Sequence, residues 1–287
     1  MKIVACIHQV PDPDAHFRLN TGGTVELDRA PSMLDPVDAA AVEAGVALIE
    51  EHGGELAVVT ADADEDAVLR TALARGANSA IRVNATPNDG REAATALAAA
   101  IAAAEQPDLV LLGAASSDHG GGATGAAVAH RLGLPLVQNA IAFESFDVSE
   151  ATVLRRRDRG YRELVRVQLP AVITVERLIA TPRFPTTAAR LRAESAPIEV
   201  VGPGVVAVGT PRATSSHYQM PPPRLQGIVW PDPQLDARDR LRFLVQGGQV
   251  RQQTDGGPVT GTTEEVASAI AEFLRERGFV TPAATSN

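Results

Sequence analysis

The chain has 287 residues, 45% hydrophobic and 21% charged, which suits one large globular domain or one domain with appendages. A net charge of −9 and an aromatic content of 3% argue against general nucleic-acid binding, which needs basic surface for phosphates and stacking platforms for bases. The single cysteine, Cys6, rules out a disulfide framework and fits a reducing cytoplasm; no apolar stretch approaches the ~20 residues of a membrane span, so no membrane insertion is expected.

The opening MKIVACIHQVPDPD lacks the long apolar region of a signal peptide, and Ile3 to Ile7 reads as a strand buried on both faces. Asp35 to Glu51 reads as a helix: Asp35 can cap it, Pro36 suits its first turn, Ala40, Val42, Val46 and Ile49 form an apolar stripe, and Gly53-Gly54 stop it. Leu56 to Val59 is the next strand, Asp64 to Arg75 the next helix, and Ala80 to Val83 the third strand. Asp89 to Glu105 is an alanine-rich helix, Asp108 to Leu112 a fourth strand ending at Gly113, and Thr124 to Leu132 a helix closed by Gly133. Strands alternating with helices of this length predict βαβ crossovers and a doubly wound, Rossmann-like parallel sheet of the α/β class.

The pattern changes after Leu134. Ala140 to Asp147, Thr152 to Asp158 and Arg162 to Leu169 read as extended, with a tight turn at Arg159-Gly160, which predicts an antiparallel hairpin appended to the sheet. Ala171 to Val175 returns as a buried strand, and Ala188 to Glu194 is a short helix. Gly202 to Pro233, with Pro221-Pro222-Pro223, is rich in Gly and Pro and reads as an extended arm; Thr263 to Arg277 is an amphipathic helix capped by Thr262 or Thr263. The chain thus divides into a nucleotide-binding α/β domain over 1–200 and a C-terminal arm and helix over 201–287. An arm unable to bury itself lies against something else, so this tail points to a partner.

The segment LLGAASSDHGGGATG, Leu111 to Gly125, carries the clearest chemistry. It leaves the C-terminal end of a parallel strand and enters a helix, the place where open α/β sheets bind ligands and where free N–H groups meet an anion. Gly120, Gly121 and Gly122 let backbone approach a phosphate, and Ser116, Ser117 and Thr124 add hydroxyls. The same small polar residues permit a plain surface loop. No Gly-Lys-Ser/Thr follows, and no dinucleotide fingerprint follows the first strand, which argues against phosphoryl transfer and a standard NAD site. Asp35 and Asp38 open a helix facing the same sheet edge, although two capping acids are the simpler reading. His8, leaving the first strand, reads as a structural hydrogen-bonder rather than a base. The histidines have no metal-ligand spacing, Cys6 reads as an inert core thiol, and Ser116 and Ser117 lack a GxSxG elbow. No self-contained catalytic site is expected.

Taken together, these segments resemble the β-subunits of electron-transfer flavoproteins. IVACIHQVPDPD is similar to that family's opening strand and K-Q-V-P-D turn, LDPVDAAAVEAG to its N-P-F-D helix start, and LRTALARGANSAIRV to its ALAMGAD segment. LLGAASSDHGGGATG resembles its nucleotide loop without a gap, and LPAVITVE with TPRF its next strand and recognition loop, so the resemblance covers about Met1 to Val200. It implies a heterodimer in which an α-subunit holds most of an FAD while this chain supports the flavin and buries a structural AMP. It also implies transient partners, namely dehydrogenases such as those acting on acyl-CoA and a quinone reductase; in one branch a second FAD replaces AMP for electron bifurcation. By this resemblance the AMP site comprises Cys6, Asp35, Pro36, Val37, Asp38, Thr60, Gly113, Ala114, Ala115, Ser116, Ser117, Asp118, His119, Gly120, Gly121, Gly122, Ala123 and Thr124. Backbone amides and Thr124 would hold phosphate, and strand-end backbone near Cys6 and Thr60 would read adenine. The chain departs from the family pattern at His8 (usually lysine), Asp35 (asparagine), Val37 (an aromatic) and Thr187 (leucine), and the NIMKAK pattern becomes AARLRA. An acid at Asp35 would oppose a phosphate placed beside it.

Overall fold

Lys2–Cys6 forms β1, in which Ile3 and Ala5 join one buried apolar cluster while Val4 and Cys6 join another. That alternation is what a strand covered on both faces requires. The computed structural model describes residues 1–15, 32–61, 66–87, 89–104, 106–202, 231–232, 234–245, 260–276 and 279. They fall into two compact units, Met1–Met220 and Pro221–Asn287.

In the first unit, β1 is followed by β2 (Gln9–Pro11) and β3 (Ser32–Leu34), a small antiparallel pair that sequence periodicity had not revealed. Helix α1 (Pro36–His52) leads to β4 (Glu55–Thr60), α2 (Ala67–Ala74) to β5 (Ser79–Val83), and α3 (Gly90–Ala103) to β6 (Leu109–Gly113). Helix α4 (Thr124–Leu132) leads to β7 (Leu136–Phe146), β8 (Glu150–Arg156), β9 (Arg162–Gln168) and β10 (Ala171–Val175); α5 (Thr187–Ser195) and β11 (Glu199–Val201) close the unit. The nine-stranded sheet runs β11-β5-β4-β1-β6-β10-β7-β8-β9. All pairings from β11 to β7 are parallel, and β8 and β9 extend the sheet antiparallel, so the doubly wound α/β expectation holds. The expected hairpin is a three-stranded meander whose first strand, β7, also pairs with β10. Its turn is a 3-10 turn over Asp158–Gly160 with Arg159 at φ 58°.

Helices α1 and α2 pack on one face of the sheet, and α3 and α4 on the other. The chain moves outward from β1 through β4 to β5, and α3 then carries it back past β1 to β6. The order of winding therefore reverses between β1 and β6, which opens a crevice at their C-terminal ends. Helix α5 packs on α2, where the Arg70 guanidinium donates to the carbonyls of Ala193 (2.7 Å), Glu194 (2.6 Å) and Ala196 (3.4 Å).

In the second unit, α6 (Ala237–Val245) and α7 (Thr263–Glu276) are described. The start of α7 is a reciprocal cap: Thr262 N donates to Glu265 Oε2 at 2.8 Å, and Glu265 N donates to Thr262 Oγ1 at 3.4 Å. Ile270 and Phe273 on α7 are about half exposed. The expected arm over Gly202 to Pro233 lies almost wholly outside the described residues, as does the end of the last helix at Arg277 and Gly278. Among the described residues no helix is long and apolar enough to cross a membrane.

Candidate functional site

The ends of β1 and β6 are joined by one carboxylate. Asp38, in the first turn of α1, accepts a hydrogen bond from His8 N through Oδ2 and one from Gly113 N through Oδ1, both at 2.8 Å. Gly113 has no room for a side chain, since a Cβ there would lie 2.5 Å from Asp38 Oδ1 and 3.1 Å from Val37 Cγ1. Asp35 is the N-cap of α1: its Oδ1 accepts from Val37 N at 2.9 Å, while its Oδ2 accepts from Ser117 N at 2.7 Å and Ser117 Oγ at 3.1 Å. The two acids thus tie α1, both central strand ends and the glycine-rich loop into one assembly. Both are buried, and burial first, then the Asp35 charge, pushes the Asp38 carboxyl up to about 7 against the hydrogen bonds it accepts. Burial also pushes the Cys6 thiol up, with the Asp38 charge adding to it, so this cysteine is unreactive.

A cavity of about 390 Å³ opens over this assembly, in the lower part of the range of about 300–1,000 Å³ usual for small-molecule sites. One wall is the loop after β6, from Gly113 to Ser116 with Asp118, His119, Gly121 and Gly122. Another is β1, through Cys6, Ile7 and His8, and a third is Ala61, Pro87, Ala93 and Leu97. Two helix starts meet there: a Cβ on Gly90, the first residue of α3, would lie 2.9 Å from Thr124 Oγ1 at the start of α4. They differ in one respect. Asp89 Oδ1 already accepts from Arg91 N (2.9 Å) and Glu92 N (2.8 Å), so α3 is capped. Helix α4 follows Ala123, which gives no side-chain cap, and its first N–H groups remain available to an anion. The positive φ of Gly120 and Gly122 turns the loop onto that start.

On the loop wall, Asp118 Oδ2 lies 3.3 Å from His8 Nε2 and 2.8 Å from His119 Nδ1. Burial would raise the Asp118 carboxyl, but hydrogen bonds from Ser116, the His119 backbone and His8 outweigh it and hold the group well below the usual carboxylate range. The cavity is therefore polar in two senses: a fixed anion beside two histidines, and an uncapped helix start with Thr124. The cavity thus joins an uncapped helix start and open backbone at Gly121 to a small apolar wall of Ala61, Ala93 and Leu97.

The sequence-derived residues divide into those lining the cavity and those shaping it. Cys6, Asp38, Gly113, Ala114, Ala115, Ser116, Asp118, His119, Gly121, Gly122 and Thr124 line it. Asp35, Pro36, Val37, Ser117, Gly120 and Ala123 do not; Asp35 acts on the loop through Ser117, and Val37 packs at Gly113. Thr60 ends β4 fully buried, and the wall there is made by Ala61. Asp35 turns its oxygens to Val37 N and Ser117 N and does not line the cavity. Asp89, Gly90 and Ala93 escaped the sequence reading. An Asp-Gly opening a helix just after a strand was the available signal, the same rule that had picked the loop after β6. Among the described residues no group of His, Cys, Asp and Glu could hold a metal ion.

The electron transfer flavoprotein domain family matches residues 23–204. The electron transfer flavoprotein subunit beta of Syntrophomonas wolfei is 32% identical over 232 residues, covering 79% of this chain and 89% of that protein. The Caffeyl-CoA reductase-Etf complex subunit CarD of Acetobacterium woodii is 28% identical over 98% of this chain and its own full length. Protein FixA of Azorhizobium caulinodans is 31% identical over 70% of this chain and 74% of its own. A switch-point cavity in an acidic α/β chain, matched over most of its length by such relatives, defines a class: the chain belongs to the electron transfer flavoprotein family, on its β-subunit-like branch.

Proposed function

We propose that this chain is the β-subunit of a heterodimeric electron-transfer flavoprotein, that it pairs with an α-subunit holding most of an FAD, and that its own cavity buries an AMP. The uncapped start of α4, facing a cavity of about 390 Å³ at the switch point, carries the nucleotide half of this reading. The bound flavin would supply one- and two-electron redox chemistry, taking electrons from dehydrogenases such as those acting on acyl-CoA and passing them through a quinone reductase towards the respiratory chain. This chain contributes binding and positioning. The α4 amides and Thr124 hold phosphate, Asp38 keeps the two strand ends in register, and Asp35 holds the loop over the ligand through Ser117. No residue serves as acid, base or nucleophile in this reading, and the C-terminal unit, with Ile270 and Phe273 exposed on α7, docks on the α-subunit in the cytoplasm.

Co-expression with the neighbouring α-subunit candidate, purification of the complex and identification of released nucleotides test the proposal. One FAD and one AMP per heterodimer is the expected result. Two FADs would assign the cavity to a second flavin. A chain that stays alone with an exchangeable adenine nucleotide would overturn the carrier role and favour a sensor. Within the complex, Thr124→Val is expected to reduce AMP retention about tenfold, the loss of roughly one hydrogen bond to a charged group. Unchanged retention would remove Thr124 from the phosphate site.

A further inference from the structure

A second cavity, of about 370 Å³, lies between the C-terminal end of α2, the segment Arg183 to Thr186, and α5. Arg75, which ends α2, borders it. The Nε and Nη1 atoms of Arg75 are buried without a hydrogen-bond partner, and its guanidinium makes no hydrogen bond or ion pair among the described residues. The acid whose charge it feels, Glu43, is already committed: its carboxylate accepts from Arg183 N at 2.9 Å and from Arg183 Nε at 2.9 and 3.0 Å. The remaining Arg183 nitrogens are committed in turn to Glu50, at 2.7 and 2.9 Å.

A cation at a helix C-terminus complements the macrodipole, which accounts for an arginine at this position. It does not account for two donors shut away without an acceptor, an arrangement that is costly for a charged group. Burial accordingly pulls the Arg75 guanidinium below its ordinary range. Arg192 borders the same cavity, also without an acidic partner among the described residues. Thr186 Oγ accepts from Ala189 N at 3.1 Å, which leaves its hydroxyl proton free to donate. The floor is apolar, made by Leu73, Ala74, Ala77 and Ala189. Two guanidiniums without a bonded acid among the described residues, bordering a cavity with Leu73, Ala74, Ala77 and Ala189 in its lining, match a dianionic oxyanion carrying a small organic part, since a guanidinium suits phosphate and phosphate carries the second charge.

We propose that this cavity binds a phosphate-bearing small molecule, its oxyanion held by Arg75 and Arg192 and its organic part lying on the Leu73–Ala189 floor. The site is built from elements other than those around β1 and β6, and it does not depend on what fills the switch-point cavity.

Calorimetric titration of the full-length chain with inorganic phosphate, glycerol phosphate and acetate tests it. Arg75→Met keeps the apolar stem and removes the donors, and is expected to weaken phosphate binding at least tenfold; the exposed Arg192→Gln is a second variant with the same expected direction. Arg75→Met should unfold no earlier than the wild type, because it removes a half-buried cation without a partner. Glycerol phosphate binding tighter than phosphate assigns the site to a monoester, and equal binding assigns it to free phosphate. Phosphate binding indifferent to both arginine substitutions, or acetate binding as well as phosphate, would overturn the proposal.

Discussion

Two buried aspartates hold the site, and they are not equivalent. Asp38 makes the bridge between strand ends, and burial first, then the Asp35 charge, raises its carboxyl from the ordinary carboxylate range to about 7. The folded protein therefore holds a proton on Asp38 that the unfolded chain releases between about pH 4 and about pH 7. Stability from this group is fully present below that window, falls as pH rises through it, and is flat above, a change of about 4 kcal/mol. Asp35→Asn removes the neighbouring charge, so the upper edge of the window should move down. In urea unfolding at about pH 5 and about pH 8, the variant should show a smaller difference between the two midpoints than the wild type. Any loss of the Ser117 or Val37 hydrogen bond is independent of pH and drops out of that difference. An identical difference would refute the coupling. The sequence placed both acids at the start of a helix facing the right edge, because capping is local. It could not show that Asp38 bonds to residues 30 and 75 positions away.

At the scale of elements, strong periodicity and local caps were readable, and pairings made over long sequence separations were not. Helices α1, α3, α4 and α7 lie within a few residues of where Asp35, Asp89, Thr124 and Thr262 place them. The strands β2 and β3 have three residues each and exist only through each other, so neither carries a period of its own. Helix α6 carries a local cap, since Asp236 Oδ1 accepts from Arg238 N and Asp239 N at 2.8 Å, but it follows a proline- and glycine-rich sequence without apolar periodicity. The packing of α5 is likewise tertiary: it is fastened at its C-terminal end by Arg70, an exposed-looking arginine in sequence. Arg70→Ala should leave those carbonyls without their charged donor and cost about 1–3 kcal/mol. Hydrogen exchange over 187–196 is expected to accelerate while β1, β4 and β6 stay protected. Uniform acceleration across the sheet would mean that α5 is not a separately anchored element.

For the whole molecule, every buried apolar residue of the core among the described residues lies at or before Ala193, within the first unit. A chain ending after residue 202 should therefore still unfold cooperatively, yet fail to co-purify with the α-subunit; retained association would move the docking surface onto the α/β unit. The overall architecture was the most legible level, because alternation of buried strands and helices leaves few topologies. The division of labour between the starts of α3 and α4 was the least legible, because it depends on which helix start already has a cap. Helix α3 is complete in itself, whereas α4 is not. With the proposed phosphate as its missing cap, α4 becomes a sensor of supply. By mass action, ligand at about a hundred times its dissociation constant adds about 2.7 kcal/mol to the folded state, and withdrawal takes the same amount away. The lifetime of the subunit in the cell would then follow the nucleotide pool, and chains made faster than nucleotide can fill them would be the first to be degraded.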